Sequence, residues 1–189
     1  MPVGGFLSEQ ACQYGRYASQ PTHLQLKPVF VLTARDRELI DRRRGERLRL
    51  GVAVQLGTVR FLGTFLAEDP LDAPWAVVDF LASQLGNADA SCVKRYTERP
   101  KMAYEHAWEI AREFGYRGSP TRMLRLSRRR SWQRGRGLGR AAQRAIDAAT
   151  AHLLERKVLL PAAGTLVELV AAGLQAGAAA PRADQGQRP

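Results

Sequence analysis

The side chains able to do chemistry in this chain are mostly cations. Arg42, Arg43 and Arg44 form one run, and Arg47, Arg49 and Arg60 follow it. Lys94, Arg95 and Arg99 form a second group. Cations at such spacing can neutralise successive phosphates, and arginine can also fork onto a guanine edge. Not every arginine is available for that. Arg35, Arg37, Arg42 and Arg43 alternate with Asp36, Glu38 and Asp41, a pattern that suits local ion pairing equally well.

Other chemistries lack their residues. His23, His106 and His152 lie far apart, and none stands at ligand spacing with Cys12 or Cys92, so no metal site is expected. His106 and His152 read as residues on helix surfaces. The glycine-rich GRGLGR at 135–140 follows no strand and lacks the Gly-Lys-Ser/Thr ending of a phosphate-binding loop. No nucleophile elbow is recognisable. Asp36 and Glu38 sit among arginines, which favours salt bridging over metal-assisted phosphoryl transfer. The chain therefore does not read as an independent enzyme, and no cofactor is expected.

Net charge points the same way with one qualification. The formal charge is +11, but residues 117–140 hold nine arginines and no acid. The remainder carries 20 basic against 18 acidic residues, so overall charge alone defines no basic face elsewhere. Nucleic acid is the leading partner for the cations, while a solvated or disordered segment explains a charge run equally well. No apolar run approaches the roughly 20 residues needed to span a bilayer, so no membrane partner is expected. The absence of a secretory signal pattern predicts a cytoplasmic chain with reduced cysteines.

The elements that must position these cations read as helices. In Arg35–Phe65, Leu48, Val52, Leu56, Val59 and Leu62 recur at helical steps and predict one apolar face, with Arg47, Gln55, Thr58 and Arg60 largely elsewhere. Gly51 and Gly57 weaken that reading, and VAVQLGTVRF also suits a strand. Length and the preceding Gly45 favour a helix. Thr33 is a plausible N-cap for a helix over about Ala34–Arg44. Trp75, Val78, Leu81, Ala82 and Leu85 form an apolar stripe ending at Gly86, and a basic helix from Ser91 to Glu98 follows. The pair from Ala76 to Arg99 has the proportions of a helix-turn-helix, with Lys94, Arg95 and Arg99 outward and Tyr96 packed. Pro100 opens another helix that ends at Gly115, and Ala141–Lys157 a later one with Ala142, Ile146, Ala149 and Leu153 on one face.

The expected fold is an all-α multi-helix bundle with helix-turn-helix-like units. Its divisions are a helical DNA-binding domain over 1–117, a poorly ordered Arg/Gly-rich linker over 118–140, the start of a second helical domain over 141–174, and a disordered tail over 175–189.

Several blocks also carry a family resemblance. FLSEQACQYGRYA (6–18), RRRGERLRLGVAVQLGTVRFLGTFL (42–66), VVDFLASQLGNADASCVKRYTER (77–99), HAWEIAREFGYR (106–117) and ATAHLLERKVLLP (149–161) are similar, in the same order, to the N-terminal region of Tn3-family transposases. The likeness lapses over 118–140, through either a shifted reading frame or ordinary divergence. The resemblance implies a module that recognises terminal inverted repeats on double-stranded DNA, in the bacterial cytoplasm at the nucleoid. It also implies a chain without the family's acidic catalytic residues, which lie in a longer C-terminal part. The alternative is a non-catalytic structural or interaction fragment that associates with an intact transposase without touching DNA.

Overall fold

The structure is a computed structural model that describes Tyr17 and residues 23–66, 72–118, 140–161, 165–166 and 168–173. Among these residues every named element is helical, in line with the all-α expectation. In chain order they are α1 (His23–Phe30), α2 (Ala34–Asp41), α3 (Glu46–Leu62), α4 (Trp75–Leu85), a 3-10 segment (Ala90–Glu98), α5 (Pro100–Phe114) and α6 (Arg140–Glu155). The stretch 119–139, the tail beyond 173, Cys12 and most of the 6–18 block lie outside the described residues.

α3 is the axis of the bundle. Helices α1, α2, α4 and α5 and the 3-10 segment all pack against it. Every residue from Leu50 to Val59 is consequently buried, including Gln55 and Thr58. This corrects the single apolar face expected for this helix: an enclosed helix has no outward side for its amides and hydroxyls. Each buried polar group finds a partner instead. The Gln55 side-chain N–H donates to the Leu66 carbonyl at 3.3 Å, and its Oε1 accepts from the Leu66 N–H at 3.1 Å. The Thr58 and Tyr17 hydroxyls share a hydrogen bond of 2.8 Å. Gly51 and Gly57, the weak points of a helix reading, are required by the packing. A Cβ on Gly51 would overlap the Tyr96 ring, and one on Gly57 would sit 2.5 Å from a Phe30 ring carbon.

Thr33 caps α2 as its sequence position suggests. Its Oγ1 accepts from the Asp36 N–H at 3.3 Å, and the Asp36 carboxylate accepts from the Thr33 N–H at 2.8 Å, a reciprocal capping box. The helix ends at Asp41, a few residues before the expected Arg44. Gly45, at φ +86°, provides the turn into α3.

In α4 burial is confined to the middle turns: Val77, Val78, Leu81 and Ala82 are inside. Trp75, expected in the apolar stripe, stands 45 % exposed at the first helical position, beyond the turns that meet the core. Gln84 at the other end fastens α4 to α1, donating to the Phe30 carbonyl at 3.0 Å and accepting from the Leu32 N–H at 2.9 Å. The next element is a 3-10 run rather than an α-helix. Asp89 caps it through the Ser91 N–H at 2.8 Å. Its three-residue repeat places Val93 and Tyr96 in one row, and both are buried. Pro100 then opens α5, which ends at Gly115 as expected.

The chain also returns to this bundle after α6. The Arg117 N–H donates to the Lys157 carbonyl and the Leu159 N–H to the Arg117 carbonyl, both at 2.8 Å. The Leu160 N–H donates to the Gly63 carbonyl at 2.9 Å, and Leu159 joins the core around α3.

Candidate nucleic-acid interface

Two distant sequence segments are brought together at the N-terminal end of α3. Arg47 Nη1 donates to Glu98 Oε2 at 2.8 Å, tying the first turn of α3 to the end of the 3-10 segment. One turn further along α3, the Tyr96 ring fills the space that Gly51 leaves open. Arg47 therefore stands beside the element that bears Lys94 and Arg95, whereas Arg49, about 200° further round the helix, bonds Asp41 of α2. Arg60 stands apart, since 13 residues of helix separate it from Arg47 by about 20 Å.

The cations differ sharply in what already holds them. Arg60 forms a forked ion pair with Asp36, with Nη1 2.8 Å from Oδ2, and Asp36 is fully buried. The Arg60 and Arg35 guanidinium carbons each lie 5.3 Å from the Phe114 ring centroid. Arg60 thus ties α3 to α2 and α5, and its charge is spent inside the protein. Arg43 is largely buried and bonds the Glu109 carboxylate, while Arg49 bonds Asp41. The Nε of each is buried without a hydrogen-bond partner. Arg42 lies near Glu109 and Glu113. Arg44, Lys94, Arg95 and Arg99 are exposed and make no ion pair among the described residues.

Behind this surface lies a buried polar cluster. His106, expected on a helix surface, is buried, and its Nδ1 is 2.9 Å from the Tyr96 hydroxyl. The correction follows from α5, whose buried face includes Ala103, Ala107 and Ile110 and sweeps far enough round to take in position 106. Burial, with Arg43 nearby adding to it, pushes the His106 imidazole down to about 4. Burial pushes the Tyr96 phenol upward, so the hydroxyl keeps its proton and can donate to a neutral ring. For Asp36, burial acts to raise the carboxyl, but hydrogen bonds from Arg60 and Thr33 outweigh it and the net shift is downward. Cys92 is a free, buried thiol, raised chiefly by burial, so it is poorly suited to nucleophilic chemistry. Among the described residues no group of three or more His, Cys, Asp or Glu side chains could hold a metal ion, and no helix is long and apolar enough to cross a membrane.

Reading by residue type alone does not separate these roles. Thr33 and Asp36 three residues later were a legible capping signal. The partners Glu109 and Glu113, on a helix more than sixty residues away, had no local signal at all.

A helical bundle in which Arg44, Lys94, Arg95 and Arg99 are exposed and make no ion pair among the described residues defines an all-α protein with candidate polyanion contacts. The chain belongs to the family described as "Domain of unknown function (DUF4158)", which matches residues 6–173. It is 41 % identical over 175 residues to the "Transposase for transposon gamma-delta" of Escherichia coli (strain K12), covering 90 % of this chain and 17 % of that protein. It is 28 % identical over 145 residues to the "Transposase for transposon Tn1546" of Enterococcus faecium, covering 77 % of this chain and 14 % of that one. A match to the "Transposase for transposon Tn501" of Pseudomonas aeruginosa is 41 % identical over 81 residues, 43 % of this chain and 8 % of the relative. The chain spans less than a fifth of the length of these relatives. The resemblance to the N-terminal region of Tn3-family transposases is borne out.

Proposed function

We propose that this chain is a DNA-binding module of a Tn3-like transposase, which recognises the terminal inverted repeats of a transposon and acts at the bacterial nucleoid. It does so without catalytic chemistry of its own. The observation that supports this reading is the set of exposed cations without ion-pair partners among the described residues: Arg44 just before α3, and Lys94, Arg95 and Arg99 on and after the 3-10 segment that the Arg47–Glu98 pair ties to the first turn of α3. Exposed charges without carboxylate partners can meet phosphate with no internal pair to break. Arg47 bridges the two segments through Glu98, beside the packing of Tyr96 over Gly51. Arg60 serves the fold in this reading.

The test is a binding competition over a salt series. Labelled terminal-repeat duplex is challenged with scrambled duplex and with structured RNA. The parent should prefer the repeat duplex. Replacing Arg44, Lys94, Arg95 and Arg99 together by Ala should flatten the log–log salt slope by roughly 0.9 for each phosphate no longer neutralised. Equal competition by unlabelled repeat duplex, scrambled duplex and RNA would leave only non-specific polyanion binding. No binding by the parent would favour the alternative, a fragment that works through an intact transposase.

A further inference from the structure

Arginines of α2 and the turn after it reach two carboxylates on α5. Arg35 donates to the Glu113 backbone carbonyl at 2.6 Å and lies 3.5 Å from its carboxylate. Arg43 is largely buried and bonds Glu109 directly. Arg42 is held differently. Its side chain is 52 % exposed, and its Nη1 lies 3.6 Å from Glu109 and 3.7 Å from Glu113. Both separations are longer than a hydrogen bond. A phosphate oxygen at about 2.8 Å would make a charge-assisted bond that neither carboxylate makes. Arg42 is therefore the cation that a well-placed phosphate can draw away.

We propose that Glu109 and Glu113 are specificity-determining residues of the DNA surface. They offset the charge of Arg42 towards loosely bound duplex and yield it where a phosphate is fixed within hydrogen-bonding reach. The proposal rests on the DNA-binding reading above. Its physical basis is the difference between two modes of binding. Non-specific association depends on uncancelled positive charge near the polyanion. A specific complex holds each phosphate in register, so a short bond to Arg42 can replace two long carboxylate interactions. Paired carboxylates thus weaken the first mode more than the second. They act by lowering the competitor's affinity, which is as effective for discrimination as raising that of the preferred site.

Glu113→Gln is the informative variant, because it removes one carboxylate charge and leaves the Arg35 bond to the Glu113 backbone intact. Binding to terminal-repeat and scrambled duplexes is measured over a salt series, beside Glu109→Gln, Arg42→Ala, the Glu113→Gln/Arg42→Ala pair and Glu105→Gln. Glu105 lies on the same helix and bridges Lys101 at 3.2 Å, so its variant changes net charge equally without reaching Arg42. Glu113→Gln should raise affinity for scrambled duplex by about 1.5- to 5-fold, the range of an exposed ion pair. The gain for repeat duplex should be smaller, and the scrambled-duplex slope should steepen by roughly 0.9. The gain should vanish in the Arg42→Ala background. An equal gain from Glu105→Gln, or a gain that survives Arg42→Ala, would mean a bulk charge effect and overturn the proposal. So would unchanged binding by both glutamate variants with melting temperatures like the parent's. If the parent binds neither duplex, the DNA-binding reading falls first and this proposal with it.

Discussion

Asp36→Ala tests whether the buried ion pair fastens α2 to α3. Asp36 is fully buried and accepts from Arg60 through both of its oxygens and from the Thr33 N–H. Truncation leaves the Arg60 guanidinium without its partner and opens the capping box. Breaking a buried pair costs about 3–5 kcal/mol. The Arg60 side chain is 24 % exposed and can turn partly towards water, so the lower end applies, about 3 kcal/mol. Loss of the reciprocal cap adds about 1 kcal/mol. A total near 4 kcal/mol is a large part of the roughly 5–15 kcal/mol that stabilises a domain. Urea unfolding followed by circular dichroism measures it, beside Arg60→Ala, the double variant and Thr33→Ala. The double variant should be much less destabilised than the two single changes combined, because neither charge is then left alone. The linkage has a definite sign. A carboxyl shifted downward in the folded state adds stability above its ordinary titration range and loses it as pH falls through the folded value. The parent should therefore weaken below about pH 4 more steeply than Asp36→Asn. A loss under about 1 kcal/mol, or strict additivity in the cycle, would refute a working pair.

Three further outcomes follow from the packing and the site. Gly51→Ala gains about 1 kcal/mol of helix propensity but forces a Cβ into the Tyr96 ring, at the upper end of an overpacking cost of about 1–3 kcal/mol, so melting should show net destabilisation of about 2 kcal/mol. His106 is depressed to about 4, so the unfolded chain binds the extra proton first and stability should fall as pH drops from about 6.5 towards 4. The full gap corresponds to about 3 kcal/mol, and chemical denaturation of His106→Gln should show that segment of the pH profile flattened. Lys94→Ala and Arg95→Ala, scanned against single-base variants of the repeat, should separate a base contact from a phosphate contact. The first costs about 1–3 kcal/mol and relaxes preference at one position, and the second weakens every duplex alike.

Helix positions were legible wherever a local signal marked them. The Thr33 cap, the Pro100 start and the Gly86 and Gly115 stops needed only neighbouring residues. What periodicity could not report was how many sides of a helix are covered. The stripe Leu48, Val52, Leu56, Val59 and Leu62 is real, but Gln55 and Thr58 are buried as well, because partners far along the chain satisfy them. The same limit hid His106, whose partner Tyr96 lies on the preceding element. For the cations, residue type could nominate Arg42, Arg43, Arg44, Arg47, Arg49 and Arg60 together, but only tertiary structure shows that Glu109, Glu98, Asp41 and Asp36 directly occupy Arg43, Arg47, Arg49 and Arg60.

The 3-10 geometry of Ala90–Glu98 also bears on how its cations can meet DNA. With three residues per turn, neighbouring side chains diverge by about 120° and positions three apart fall in one row. Val93 and Tyr96 form the row against α3 and α5. Lys94 follows Ser91 on a second row, and Arg95 follows Cys92 on a third. Lys94 and Arg95 are adjacent in sequence and both exposed, yet they point along different directions. A surface that puts one of them over a base edge turns the other towards a flank of the groove, where phosphates lie. An α-helix would separate neighbours by about 100°, so the divergence of this pair is similar in either geometry. In the DNA-binding reading proposed above, at most one of this pair should therefore reach a base edge while the other meets phosphate, so only one of Lys94→Ala and Arg95→Ala should relax preference at a single position.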